Sequence, residues 1–132
     1  MSGHSKGITA ITMAILAACP ALAQPQPMQP KGFKIQPLAA IDLGREFEAM
    51  KGRTLRMSYV VVDPGAIMPA HPHKDQPEII YVMQGTLTED RNNAGPKDYG
   101  PGSVIAVAGD VSHALWNRTS TPVVYIVTPI TK

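Results

Sequence analysis

From Thr54 onward, apolar and polar positions follow a two-residue period. In TLRMSYVVV, Leu55, Met57, Tyr59 and Val61 share one face while Arg56 and Ser58 begin the other, which predicts a strand. Asp63-Pro64-Gly65 ends it with a turn. EIIYVMQGTLTED supplies a second β-branched and aromatic run with Gly85 inside it, and RNNAGPKDYGPG carries hairpin chemistry. SVIAVA, HALWN and PVVYIVT read as three further strands, and no long amphipathic helix interrupts them. Many short strands separated by Gly and Pro turns predict an all-β sandwich or barrel rather than an α/β sheet.

The first third reads differently. MSGHSKG carries Lys6, and the apolar run ITAITMAILAAC that follows is too short to span a bilayer, which needs roughly 20 residues. Residues 1–23 therefore read as an export signal cleaved after Ala21-Leu22-Ala23, so that the protein is secreted or periplasmic. A competing site, Leu16-Ala17-Ala18-Cys19, resembles a lipobox; processing there would lipidate Cys19 and anchor the chain to a membrane. Residues 24–37 contain Pro25, Pro27, Pro30 and Pro37 and read as an extended tether. The folded part is expected to begin near Lys34, with the barrel over residues 38–132 and a short helical turn within LAAIDLGREFEAMKG, limited by Gly44 and Gly52.

Composition changes this picture little. The chain has 132 residues, 44% hydrophobic and 17% charged, enough for one domain with a real core. Its net charge of +2, or +1 once Lys6 is removed, gives no electrostatic footprint for nucleic acid. Cys19 is the only cysteine, so cleavage after Ala23 leaves no disulfide, thiolate ligand or cysteine nucleophile.

Candidate chemistry gathers in GAIMPAHPHKDQPEIIYVMQG. His71 and His73, two apart on a strand, leave the same face, and a hairpin through KDQP can return Glu78 toward them; Ile80, Val82 and Gln84 would share its face. His113 follows the turn AGDVS at the start of another strand. Three imidazoles and one carboxylate make a nitrogen and oxygen site suited to divalent Mn, Fe, Co, Ni, Cu or Zn rather than Ca or Mg. Ser112 beside His113 is not a nucleophile and base pair, because neighbouring strand residues face opposite ways. Glu89, Asp90 and Arg91 read as a solvated hairpin, and Tyr59 and Gln84 as polar groups supporting the site.

Gly65, His71, His73, Glu78 and Gly85 fit the pattern G-x5-H-x-H-x4-E-x6-G, and in these residues the chain resembles the cupin superfamily, whose first motif this is. The second motif, G-x5-P-x-G-x2-H-x3-N, is met at Gly102, His113 and Asn117, while Ala108 and Asp110 stand where the family has Pro and Gly. These departures touch the turn before His113 and leave the histidine in place. The resemblance implies a double-stranded β-helix, or jelly-roll barrel, with a metal bound by His71, His73, Glu78 and His113, and a homodimer.

Such a centre, at formal +1 with two free positions on a six-coordinate ion, suits an anionic oxygen ligand. The expected function is a metal-dependent, dioxygenase-like oxidoreductase on a small oxygen-rich or aromatic molecule, with Mn or Fe as the first expectation for the metal, Ni, Cu or Zn as alternatives, and Glu78 as ligand and base. The alternatives are a non-redox isomerase or lyase of the sugar-modifying cupin kind and a non-catalytic metal or small-ligand binding module.

Overall fold

The structure, a computed structural model, describes residues 30–132. The export signal, Cys19 and the processing site before Gln24 lie outside the described residues. Among the described residues, nine strands form two antiparallel sheets: β1 (Phe33–Asp42), β2 (Thr54–Val62), β3 (Ile67–Pro72), β4 (Glu78–Gln84), β5 (Leu87–Arg91), β6 (Pro96–Tyr99), β7 (Val104–Val107), β8 (Ser112–Trp116) and β9 (Val123–Thr131). The larger sheet has the order β1-β2-β9-β4-β7 and the smaller β3-β8-β5-β6. The all-β jelly roll expected from the strand pattern and the resemblance is the fold observed.

Between the sheets lie Phe33, Val60, Val62, Ile80, Val82, Leu87, Ile105, Val107, Leu115, Val123 and Tyr125, all nearly or fully buried. Residues of this size each stabilise the fold by about 1.5–3 kcal/mol when taken out of water. Two boundaries differ from expectation. Strand β1 starts at Phe33, ahead of the limit set after Pro37, because the Phe33 ring enters the core and the segment pairs with β2 from Phe33↔Val62 onward. Pro37 is tolerated there because β1 is an edge strand and a register shift lies between Pro37 and Ala39. The helical turn is confined to Leu43–Glu46 and a 3-10 turn at Glu48–Met50; Leu38–Asp42 are strand.

In strand β2 the alternation expected from the sequence left open which face is buried. Val60 and Val62 fill the core, so Leu55, Met57, Tyr59 and Val61 face outward. The run YVVV is apolar on both faces, so its alternation does not decide which one is buried. The RNNAGP hairpin is confirmed: Asn92 and Asn93 both adopt positive φ, and the Asp90 carboxylate accepts the Gly95 amide at 3.0 Å.

Candidate metal centre

Each histidine is aimed by its own piece of backbone. His71 sits on β3 directly opposite His113 on β8, and direct cross-strand partners leave the same face of a sheet. A register shift between Met68 and His71 turns the Pro69 carbonyl toward the ring, where it accepts from His71 Nδ1 at 2.9 Å. His73 lies just past the end of β3, its amide tied to the Val111 carbonyl at 2.9 Å, and its Nδ1 donates to the Gln76 carbonyl at 2.9 Å. His113 Nδ1 donates to Glu89 Oε1 at 2.7 Å. A carbonyl or ionised carboxylate can only accept, so all three rings carry their proton on Nδ1 and present the Nε2 lone pair.

Those lone pairs converge. One nitrogen from each of His71, His73 and His113 lies within 4.8 Å of the others, and the Nε2 atoms of His73 and His113 are 2.9 Å apart. Two lone pairs at that separation repel unless a cation or a shared proton lies between them. Two imidazoles bound side by side to one ion at about 2.1 Å would be about 3.0 Å apart, so the donor set fits a divalent metal. His71, His73 and His113 can therefore hold a metal ion. Burial pushes the His71 and His73 rings below their ordinary value of 6.5, against opposing backbone hydrogen bonds, and keeps them neutral as ligands must be.

Glu78, first residue of β4, places Oε1 3.7 Å from Nε2 of both His73 and His113, with its side chain 13% exposed. It borders the histidine cluster rather than belonging to it. Burial raises its carboxyl to about 7, opposed by His113 and reinforced by the Glu89 charge.

Other sequence expectations fare differently. Glu89 is not solvated: its side chain is 1% exposed and links His113 to Arg91, whose Nη2 lies 3.1 Å away. Burial raises the Glu89 carboxyl, but hydrogen bonds from His113 and Arg91 outweigh it and hold the group below the usual carboxylate range. Leu87 on the same strand face was the available signal, since Leu87, Glu89 and Arg91 share one parity and Leu87 is fully buried. Tyr59 faces outward, as described for β2. Gln84 is exposed, because a register shift between Val82 and Gln84 rotates it off the face shared by Glu78, Ile80 and Val82.

Tyr125 went unnoticed from sequence. It is buried on the inner face of β9, and burial first, then the Glu78 charge, push its hydroxyl well above the ordinary value, keeping it a proton donor. Asn117 is a clamp rather than a ligand. Its Nδ2 donates to the Val62 and Thr121 carbonyls at 3.1 and 2.7 Å, and its Oδ1 accepts from the Thr119 amide and hydroxyl at 2.9 and 2.7 Å. The turn that lacks the family's Pro and Gly closes with the Val111 amide on the Ala108 carbonyl at 3.1 Å.

A jelly-roll barrel with histidines converging inside it defines a class of protein. The chain belongs to the cupin family: the family's profile, described as a cupin domain, matches residues 58–129, more than half of the chain. Solved structures agree on the fold. The cupin domain of Cnp3 from Schizosaccharomyces pombe is 17% identical with a TM-score of 0.63, over 80% of this chain and 65% of that one. The polyketide cyclase RemF from Streptomyces resistomycificus is 18% identical with a TM-score of 0.62, over 78% and 68%. A sugar phosphate isomerase of the cupin superfamily from Silicibacter pomeroyi is 26% identical with a TM-score of 0.55, over 70% and 59%. The chain thus spans less than two thirds of the Cnp3 domain and of the isomerase. No curated protein matches it.

Proposed function

We propose that the protein is a metal-dependent enzyme outside the cytoplasm, a dioxygenase-like oxidoreductase acting on a small oxygen-rich or aromatic molecule. The observation that carries this reading is the convergence of three Nε2 lone pairs beside a buried carboxyl. A Mn or Fe ion held there supplies Lewis acidity and redox capacity. The chain's own groups do the rest. His71, His73 and His113 would hold the ion as neutral donors, and Glu78, which borders them, would join as fourth ligand. Glu78 is the carboxyl that borders the three histidines, 3.7 Å from Nε2 of His73 and of His113, so Oε1 is placed to receive the proton of a substrate enol or hydroxyl. Tyr125 offers a hydrogen bond from a hydroxyl that stays protonated. Ile80, Val82 and Val107 line the interior with apolar side chains.

Oxygen uptake over a panel of diketones, flavonols and catechols tests the reading; a substrate that consumes O₂ supports it. Turnover without O₂ would replace it with a non-redox isomerase or lyase, a reading favoured by the likeness to the sugar phosphate isomerase. A saturable ligand without turnover would mean a binding module. We also infer a homodimer. Ile41, Met57, Ile79, Tyr81 and Val104 leave the outer face of the larger sheet, each at least 41% exposed, and a second copy would cover such an apolar face.

A further inference from the structure

We propose that Arg91 is a positioning residue for the metal centre, acting through Glu89 to set how strongly His113 Nε2 binds the ion. This rests on the reading of the centre given above. His113 and Arg91 are direct cross-strand partners on β8 and β5, and Glu89 lies two residues before Arg91, so the three side chains leave one face of the smaller sheet. They bond in series. Glu89 Oε1 accepts from His113 Nδ1 at 2.7 Å and from Arg91 Nη2 and Nε at 3.1 and 3.3 Å, while Oε2 accepts from Nη2 at 3.4 Å. One carboxylate oxygen therefore serves both the ring and the guanidinium.

That sharing fixes the sign of the effect. A carboxylate on Nδ1 pushes electron density into the imidazole and makes Nε2 a stronger donor. A guanidinium on the same oxygen draws part of that charge away, and its own charge opposes a cation on the far side of the ring. The Glu89 and His113 side chains are 1% and 0% exposed, so water screens their interaction little. An ion pair that only braced the fold would behave differently, since loss of either partner would loosen the His113 ring and weaken metal binding. Lys97 supplies an internal comparison. It is the cross-strand partner of Glu89 and lines a cleft with Arg91, but its Nζ lies 4.9 Å over the Tyr99 ring and forms no ion pair with Glu89.

The test measures Zn²⁺ affinity by chelator competition at about pH 8, where carboxylates are ionised, and the midpoint potential of the iron-loaded protein. Arg91→Gln keeps an amide donor for Glu89 and removes the charge; it should tighten Zn²⁺ binding about tenfold and lower the potential. Glu89→Gln should do the reverse, weakening Zn²⁺ binding by about 10–100-fold and raising the potential. Combined with Glu89→Gln, Arg91→Gln should lose most of its effect, because the path runs through the carboxylate. Arg91→Lys, in which one ammonium replaces the fork, should act in the same direction by a smaller factor and serves where Arg91→Gln does not fold. Lys97→Met should leave both readings unchanged. Weaker or unchanged Zn²⁺ binding in the folded Arg91 variants, or equal tightening in Lys97→Met, would overturn the role of Arg91 and leave the metal centre standing. Failure of the unaltered protein to bind Zn²⁺ would overturn the reading of the centre and this inference with it.

Discussion

Glu78 and Glu89 are two buried carboxyls pushed in opposite directions, and each yields a test. Below about 7 the metal-free Glu78 holds a proton that a coordinated carboxylate cannot keep. Metal binding at pH 6 should therefore release about one proton more than at pH 8, and Glu78→Gln should remove the difference. Calorimetry in buffers of different ionisation enthalpy measures this, and equal release at both pH values would mean that Glu78 is no ligand. The same shift fixes a sign for stability. Between the ordinary value of 4.5 and about 7 the folded metal-free chain keeps a proton the unfolded chain has lost, so this group's contribution falls as pH rises through that window. With saturating metal, Glu78→Gln should still cost on the order of a hundredfold in turnover if Oε1 carries the substrate proton. Full recovery would reduce Glu78 to a ligand. Glu89→Gln keeps an acceptor for His113 Nδ1 but removes its charge, and should weaken metal binding by about 10–100-fold in a chelator competition. The three histidines that converge were legible, His71 and His73 from their two-residue spacing on a strand and His113 from the second motif of the resemblance, while Glu78, picked out with them, borders the cluster. Glu89 was hidden by two charged neighbours, and its burial follows only from the strand parity that β5 shares with Leu87.

Strands were legible wherever turn residues bounded them, and the buried face stayed open where apolar character ran through both faces. Strand β1 was obscured by its prolines, yet Phe33 anchors it at 3% exposure. Phe33→Ala should cost about 3–5 kcal/mol in urea unfolding, whereas a true tether residue would cost almost nothing. Gly85 shows why the bend between β4 and β5 needs glycine on two counts. Its φ is +77°, and an added Cβ would come within 2.7 Å of the Pro122 carbonyl oxygen. Gly65 has a similar φ of +74° and open space around it. Gly85→Ala should therefore destabilise the protein clearly more than Gly65→Ala, which carries only the left-handed backbone penalty of about 1 kcal/mol. Equal losses would show that the contact at Pro122 relaxes without cost.

At the scale of the molecule, pattern and motif together reach the barrel and the cluster of histidines inside it, because short strands, tight turns and ligand spacing are local properties of a chain. Substrate choice is not local. It depends on side chains brought together from separate strands, and that follows from register. The metal is where these scales meet, since ligands gathered only in the folded state make binding free energy into folding free energy. The most direct measurement is metal content of the purified protein by mass spectrometry, combined with its melting temperature before and after dialysis against a strong chelator. We expect one divalent ion per chain, a lower melting temperature once it is removed, and loss of both in His113→Ala. Protein that holds no metal when supplied with Mn, Fe, Ni, Cu or Zn, and melts at the same temperature after chelation, would contradict a metal centre at these histidines.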